Sequence, residues 1–165
     1  NTLRGVYGTD VLLATANSFT GSVLQADYNQ KMAASMIMPN GLMSRQRTMT
    51  GAELKETVRA FVEGCEGGFV PFNRGSLPVV SGIAVEVKEA SGSYTLTGIT
   101  RNGQPLRDDD TVTVTCLATE KQMEALLASD SGTSAGEDTW VKNTWRDYIS
   151  GGAALAEPEN YMTLR

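Results

Sequence analysis

The stretch TGAELKETVRAFVEG occupies residues 50–64 and has the pattern of an amphipathic helix. Its apolar residues recur at helical spacing and would share one face of that helix: Leu54, Val58, Phe61 and Val62. Thr50 and Glu53 have the spacing of a capping box at the helix start. Gly64 supplies a stop signal. The sequence therefore predicts a helix here with one face buried.

Strand patterns lie on both sides of this helix. Residues 11–14 form a short apolar run between turn residues, which is typical of a buried strand. Apolar and polar residues alternate over 83–88 and again over 112–116, and a further strand pattern covers 94–99. Asn102-Gly103 predicts a tight hairpin turn because both residues tolerate positive φ.

Three further helix starts are predicted from capping patterns, at Asp27, Thr119 and Asp138. The first of these helices would run to about residue 38, and the last would end at the glycine pair 151–152. Helices thus precede, interrupt and follow a cluster of strands, and no repeat or linker divides the chain. We expect a single domain over residues 1–165 with a layered α+β (mixed α/β) fold.

Composition excludes several classes of function. The chain has 165 residues, 14 basic and 19 acidic side chains and a formal charge of -5, so polymeric nucleic acid is not an expected partner. It contains no histidine, which removes the usual general base and every Ser-His-Asp or Cys-His site. No apolar run is long enough to predict a membrane span. Composition therefore favours a binding or structural module over a complete enzyme, although a carboxylate-only site stays open.

Two smaller features of the chain leave alternatives open. Cys65 and Cys116 could form one disulfide, but two buried thiols are the expectation. Asp108 to Asp110 resemble an acidic cluster, yet their spacing does not fit a calcium loop, and a solvated turn is predicted. The chain begins with Asn1 rather than Met, so we expect it to be part of a longer protein.

Two places along the chain could contact a ligand. Asn17 follows the first predicted strand, where ligands often lie in open α/β sheets, although a local polar turn is the simpler interpretation. Trp140 follows a polar loop and could stack on a planar ligand, with Asp138 accepting hydrogen bonds from it. From the residues alone, a core tryptophan with Asp138 as a helix cap is the better supported alternative.

Several segments, in order, resemble the C-terminal domain of 5′-nucleotidases. The resemblance covers nearly the whole chain and rests on residues 39–56, PNGLMSRQRTMTGAELKE, and on residues 77–83, LPVVSGI. Residues 102–106, NGQPL, are similar to a turn of that family. Residues 9–13, TDVLL, are similar to its first strand, with Asn17 at the start of the following turn.

This resemblance implies a layered α/β/β/α sandwich that recognises the substrate of a larger hydrolase. A separate N-terminal metallophosphoesterase domain would hold two metal ions through His and Asp ligands, so no cofactor is expected in this domain and it would not be catalytic alone. The substrate would be a nucleotide or a related phosphoester. The family also implies an extracytoplasmic location, either secreted or on the cell surface.

The resemblance also implies which residues bind the substrate. Asn17, Asp138 and the aromatic Trp140 match family positions that contact it. Ser22 and Leu77 stand where the family has an arginine and a stacking phenylalanine. Arg74 could replace the missing positive charge. The alternative is a degenerate, non-catalytic domain that serves as a scaffold or protein-interaction module.

Overall fold

A computed structural model describes residues 2–14, 41–63, 78–91, 93–127, 132–152 and 162–164. Four helices lie within these ranges: α1 Thr2–Tyr7, α2 Gly51–Glu63, α3 Glu120–Leu126 and α4 Val141–Ser150. The same ranges contain ten strands: β1 Val11–Ala14, β2 Leu42–Thr50, β3 Val79–Ser81, β4 Ala84–Ala90, β5 Ser93–Arg101, β6 Gln104–Pro105, β7 Thr111–Thr119, β8 Thr133–Ser134, β9 Thr139–Trp140 and β10 Met162–Leu164. The predicted helix 27–38 lies outside the described residues, as do Asn17, Ser22, Cys65, Arg74 and Leu77.

The strands form two sheets. In the first sheet the order is β3-β1-β7-β2-β8, and β9 also pairs with β2. β1 runs parallel to β7, whereas β2 pairs antiparallel with β7 along its whole length, from Leu42 opposite Thr119 to Thr50 opposite Thr111. In the second sheet the order is β10-β4-β5-β6, with β10 parallel to β4. β1 and β7 are therefore the central strands of the first sheet.

The larger hydrophobic core lies on one face of the first sheet and joins it to α2, α3 and the second sheet. Its members include Val11, Leu13, Val114 and Cys116 from the first sheet, Leu54, Val58 and Phe61 from α2, and Val85, Val87 and Ile99 from the second sheet. The predicted apolar face of α2 is buried in this cluster, and so are the alternating apolar positions of β4. Burial of these side chains is the main force that holds the two sheets together.

A smaller core covers the opposite face of the first sheet. Leu12 and Ala14 of β1 pack there with Leu3 of α1 and with Val141 and Trp145 of α4. β1 is thus buried on both faces, which explains why its four residues are all apolar rather than alternating. α1 was not predicted, because a six-residue segment that contains Gly5 has little helix propensity of its own. Its packing on β1 stabilises it.

The predicted helix starts have different outcomes. At α2, the Thr50 amide and hydroxyl donate to Glu53 Oε2 over 2.7 and 2.9 Å, and the Glu53 amide donates back to the Thr50 hydroxyl. The capping box of Thr119 and Gln122 at α3 is also confirmed. The predicted cap at Asp138 is wrong: α4 begins at Val141, its N-cap is Trp140, and no side chain caps it.

Two predicted turns are confirmed. Asn102 and Gly103 have φ values of 52° and 76°, which are the left-handed values that a tight hairpin turn between β5 and β6 requires. Asp108 to Asp110 form a solvated turn in which Arg107 pairs with Asp109 and Lys55 pairs with Asp108. The turn brings Arg107 to the start of α2, where its carbonyl oxygen would lie 1.8 Å from a Cβ on Gly51.

The described elements together confirm the predicted mixed α/β fold, in which helices and sheets pack in layers. α1 and α4 lie on one face of the first sheet, whereas α2, α3 and the second sheet share the core on its other face. Among the described residues, no helix is long and apolar enough to cross a membrane.

Candidate ligand-binding site

Two short strands, β8 and β9, pair with β2 on the side that faces away from β7. Their pairing is irregular, and it positions the candidate site. β8 pairs with residues 47–48 of β2, and β9 pairs with residues 43–44. Four residues, 135–138, therefore stand opposite only two, residues 45–46. The extra residues leave the ladder as a bulge, and Asp138 lies at its end.

Hydrogen bonds from two backbone amides hold the segment that enters the bulge. The Ala135 amide donates to the Gln46 carbonyl over 3.1 Å, and the Gly132 amide donates to Glu53 Oε1 over 3.2 Å. Gly132 has φ of +71°, and a Cβ there would lie 2.5 Å from the Thr48 carbonyl oxygen. Only glycine allows this close approach. Residues 132–135 thus contact both β2 and the start of α2.

Asp138 forms an ion pair with Arg45. Nε and Nη2 of Arg45 both donate to Asp138 Oδ2, over 2.9 and 2.8 Å, and the two side chains are 23% and 30% exposed. Among the described residues, Asp138 Oδ1 has no hydrogen-bond partner. The pair therefore fixes the orientation of the carboxylate and leaves one acceptor oxygen available to a ligand.

Trp140 lies beside this ion pair on the protein surface. Its side chain is 49% exposed, which contradicts the interpretation of a core tryptophan. Trp140 pairs with Met43, so the indole lies on the same face of the sheet as Met43 and, two residues further along β2, Arg45. An exposed indole beside a carboxylate can stack on a planar ring that also donates a hydrogen bond.

A buried polar cluster anchors β9 from the opposite face. Ser44 is fully buried, and its hydroxyl oxygen lies 2.7 Å from the Thr139 hydroxyl oxygen. The Thr139 hydroxyl oxygen lies 3.3 Å from the hydroxyl oxygen of Thr144 on α4. These contacts hold the residue next to Trp140 and so restrict the backbone position of the indole. Trp145 of α4, the other tryptophan of the chain, is buried and stacks on Tyr148.

A second arginine lies on the same face of β2. Arg47 is half-buried, and its Nη1 donates to the Gln46 carbonyl over 3.4 Å. Within the described ranges, no carboxylate pairs with Arg47, in contrast to Arg45. The face therefore combines a neutralised carboxylate, an exposed indole and a second guanidinium.

The Cys116 thiol supports this placement of the two arginines. Cys116 pairs with Arg45 across the β2–β7 ladder and is fully buried. Burial raises the pKa of Cys116 to about 12, against an opposing effect of the positive charges of Arg47 and Arg45. Because Arg45 pairs with Cys116 and Arg47 pairs with Val114, both arginine side chains lie on the face of the sheet that carries Cys116. The thiol is free, as expected, and protonated at neutral pH.

The predicted contacts at Asn17 and Arg74 lie outside the described residues, but the end of β1 is described. Ala14 pairs with Leu117 of β7, Leu117 pairs with Ser44 of β2, and Ser44 pairs with Thr139 of β9. The carboxyl end of β1 is therefore level with β9 in the sheet, about 14 Å away across three strand spacings. The roles of Asn17 and Arg74 stay predictions.

The described residues do not form a metal centre. No group of three or more Cys, Asp or Glu side chains within them could hold a metal ion, and the chain contains no histidine. They do not fit the two-metal site of a metallophosphoesterase, and no metal-dependent step is assigned to them.

Sequence reasoning missed Arg45 and Arg47. Both lie in the segment 39–56 that carries the family resemblance, yet neither was assigned a role. A usable signal exists, because two arginines separated by one residue on a strand point to the same face. Their partnership with the loop that precedes α4 could not be read locally, since Arg45 and Asp138 are 93 positions apart.

No protein-family model matches the sequence. No curated protein matches it either. Solved structures of similar fold include a 5′-nucleotidase precursor from Thermus thermophilus, with a TM-score of 0.68, 15% identity and alignment over 98% of this chain and 32% of the other. The NAD nucleotidase of Haemophilus influenzae aligns with a TM-score of 0.65 and 16% identity, over 97% of this chain and 31% of the other.

A third similar structure is the sulfate thiohydrolase SoxB of Thermus thermophilus. It aligns with a TM-score of 0.62 and 12% identity, over 99% of this chain and 30% of the other. The chain thus spans about a third of the length of each of the three proteins. At these identities the likeness concerns the fold. The layered arrangement of helices and two sheets, together with these alignments, shows that the chain has the fold of a 5′-nucleotidase C-terminal domain.

Proposed function

We propose that this chain is the substrate-recognition domain of a 5′-nucleotidase-like metallophosphoesterase. It would position a nucleotide or related phosphoester for hydrolysis by a separate N-terminal domain that holds the metal ions. The observation that carries the proposal is the exposed Trp140 beside Asp138, on an edge strand of this fold. The short span of the chain relative to similar structures supports a partner domain elsewhere in a longer protein.

Each residue of the site would have a separate role. The Trp140 indole stacks on the base, and the free Oδ1 of Asp138 accepts a hydrogen bond from a base N–H or a sugar hydroxyl. Asn17 and Arg74 would add polar contacts from segments that follow β1 and α2. The metal ions of the partner domain would supply the activated nucleophile. An extracytoplasmic location belongs to the same proposal.

Calorimetric titration of the chain with AMP tests the stacking role. Stacking of one base contributes about 1–3 kcal/mol, so Trp140→Ala should weaken AMP binding at least fivefold, whereas Trp140→Phe should retain most of it. Val79→Ala is a matched control because Val79 is also exposed, at 42%, but lies on β3 at the opposite edge of the sheet. Equal affinity in Trp140→Ala and wild type would remove Trp140 from the site.

The alternative of a non-catalytic scaffold is favoured by one feature of the site. Asp138 is already paired with Arg45, so the carboxylate has a structural partner without any ligand. An assay of the chain linked to a metallophosphoesterase domain from its parent protein distinguishes substrate recognition from a scaffold role. Phosphate release from AMP that depends on Trp140 supports recognition, whereas release that is unchanged by Trp140→Ala supports the scaffold.

A further inference from the structure

The site-bearing face of β2 presents its charged groups in a fixed order. Trp140 lies opposite Met43, Arg45 follows two residues later with Asp138, and Arg47 follows after two more. Successive residues on one face of an antiparallel strand are about 7 Å apart, so Arg47 lies about 14 Å along the strand from the level of the indole. A ligand whose ring stacks on Trp140 could therefore extend along this face of β2, with an anionic group within reach of the arginine side chains.

The charges along this row do not cancel. Arg45 neutralises Asp138 through two hydrogen bonds to a single oxygen, and Arg47 adds a positive charge that no carboxylate within the described residues balances. Without Arg45, the carboxylate would face the ligand as an uncompensated negative charge. It would then repel a phosphoester that lies close to it.

We propose that Arg45 is a specificity-determining residue that makes this carboxylate-bearing site accept anionic ligands, so that a nucleoside monophosphate binds in preference to the neutral nucleoside. The inference rests on the proposed function, and it assigns the preference to Arg45 together with the unbalanced charge of Arg47. Asp138 then serves as a hydrogen-bond acceptor whose charge is masked, rather than as an anionic group that selects cations.

Comparison of AMP and adenosine by calorimetry tests this inference. In the wild-type chain AMP should bind more tightly than adenosine, and the difference should shrink as salt screens the charges. Arg45→Gln should weaken AMP binding about fivefold more than it weakens adenosine binding. Arg47→Gln should reduce the preference in the same direction.

A double variant separates charge from shape. In Arg45→Gln with Asp138→Asn, neither charge remains, so the preference for AMP should return to within about twofold of the wild-type value. Arg45→Lys, which keeps the charge, should retain the preference. Arg59→Gln is the control for net charge, because Arg59 lies on the exposed side of α2 and pairs there with Glu56 and Glu63.

The possible failures are distinguishable. If neither AMP nor adenosine binds the wild-type chain, the proposed function itself is overturned. If both bind and Arg45→Gln weakens them equally, with no recovery in the double variant, Arg45 has only a structural role and the inference is overturned. Loss of the AMP preference in Arg74→Gln but not in Arg45→Gln or Arg47→Gln would assign the selectivity to Arg74 instead.

Discussion

Asp10, the residue before β1, joins the two sheets through its carboxylate. Oδ2 accepts hydrogen bonds from the amide and hydroxyl of Thr113 on β7, both at 2.9 Å. Oδ1 accepts from Arg101 on β5 in the second sheet, at 2.6 Å. Burial raises the pKa of Asp10, but the hydrogen bonds from Thr113 and the charges of Arg101 and Arg4 outweigh it, so the pKa lies below its ordinary value.

Asp10→Asn should therefore destabilise the fold in a pH-dependent way. Because the pKa of Asp10 is lower in the folded than in the unfolded chain, its contribution is present above the unfolded value of about 4 and is lost as the pH falls through the folded value. The side chain is 36% exposed, so we expect a loss of about 1 kcal/mol at pH 7 after allowance for solvent screening. Urea unfolding at pH 7, 5 and 3 measures the difference between the two proteins.

Asp109→Asn provides the comparison for this experiment. Asp109 also pairs with an arginine, Arg107, but both side chains are 71% exposed in the turn before β7. We expect no measurable change in stability from that substitution. A difference between wild type and Asp10→Asn that stayed the same at pH 3 would show that charge is not the source of the Asp10 contribution.

At the scale of elements, the capping boxes of α2 and α3 are alike except in one contact. Each helix begins with a threonine and an acceptor side chain three residues later, Glu53 in α2 and Gln122 in α3. Glu53 also accepts the Gly132 amide, which belongs to the segment that leads to Asp138 and Trp140. The amide and hydroxyl of Thr50 hold the pKa of Glu53 below its ordinary value, and the Gly132 amide adds to them against a small opposing effect of burial.

Glu53→Ala and Gln122→Ala should both cost about 1 kcal/mol of stability, because each removes one half of a capping box. Only Glu53→Ala should also speed amide hydrogen exchange over residues 132–138, because only Glu53 holds the Gly132 amide. Hydrogen-exchange mass spectrometry of the two variants measures this directly. Equal exchange in both would mean that the contact with Gly132 does not restrain the bulge.

At the scale of the whole molecule, the larger core connects most of the described elements. Phe61 of α2 is fully buried in it together with residues of both sheets. The smaller core, which contains Trp145, lies on the other face of the first sheet and shares β1 and β7 with the larger one. This arrangement predicts that damage to one core is transmitted to the other.

Phe61→Ala should destabilise the chain by about 3–5 kcal/mol, and Phe61→Leu by less, because the cavity is smaller. In a Trp140→Phe background, Trp145 is the only tryptophan and reports on the smaller core. Its fluorescence and the far-UV circular dichroism should change at the same urea concentration. Separate midpoints would show that the two cores unfold independently.

Features that depend on neighbouring residues can be predicted from the amino-acid sequence of this chain. Four such features were predicted from the sequence: the α2 helix, its capping box, the capping box at Thr119 and the Asn102-Gly103 hairpin. Each was predictable because its hydrogen bonds and spacing involve residues only a few positions apart. The alternation of β4 was readable for the same reason, since the two faces of a strand meet different surroundings. The mixed α/β fold was predicted in addition from the segments that resemble the 5′-nucleotidase C-terminal domain in the same order along the chain.

The form of the candidate site depends on tertiary contacts. The strands β8 and β9 have only two residues each, which is too few to show an alternating pattern. They form because they pair with the edge of β2. Asp138 had the spacing of a helix cap, but Arg45 provides a charged partner that outweighs a single backbone amide. Trp140 is exposed because it pairs with Met43 from β9, a strand at the edge of the first sheet. Such outcomes depend on contacts between segments far apart in the chain, and these form only when the whole domain packs.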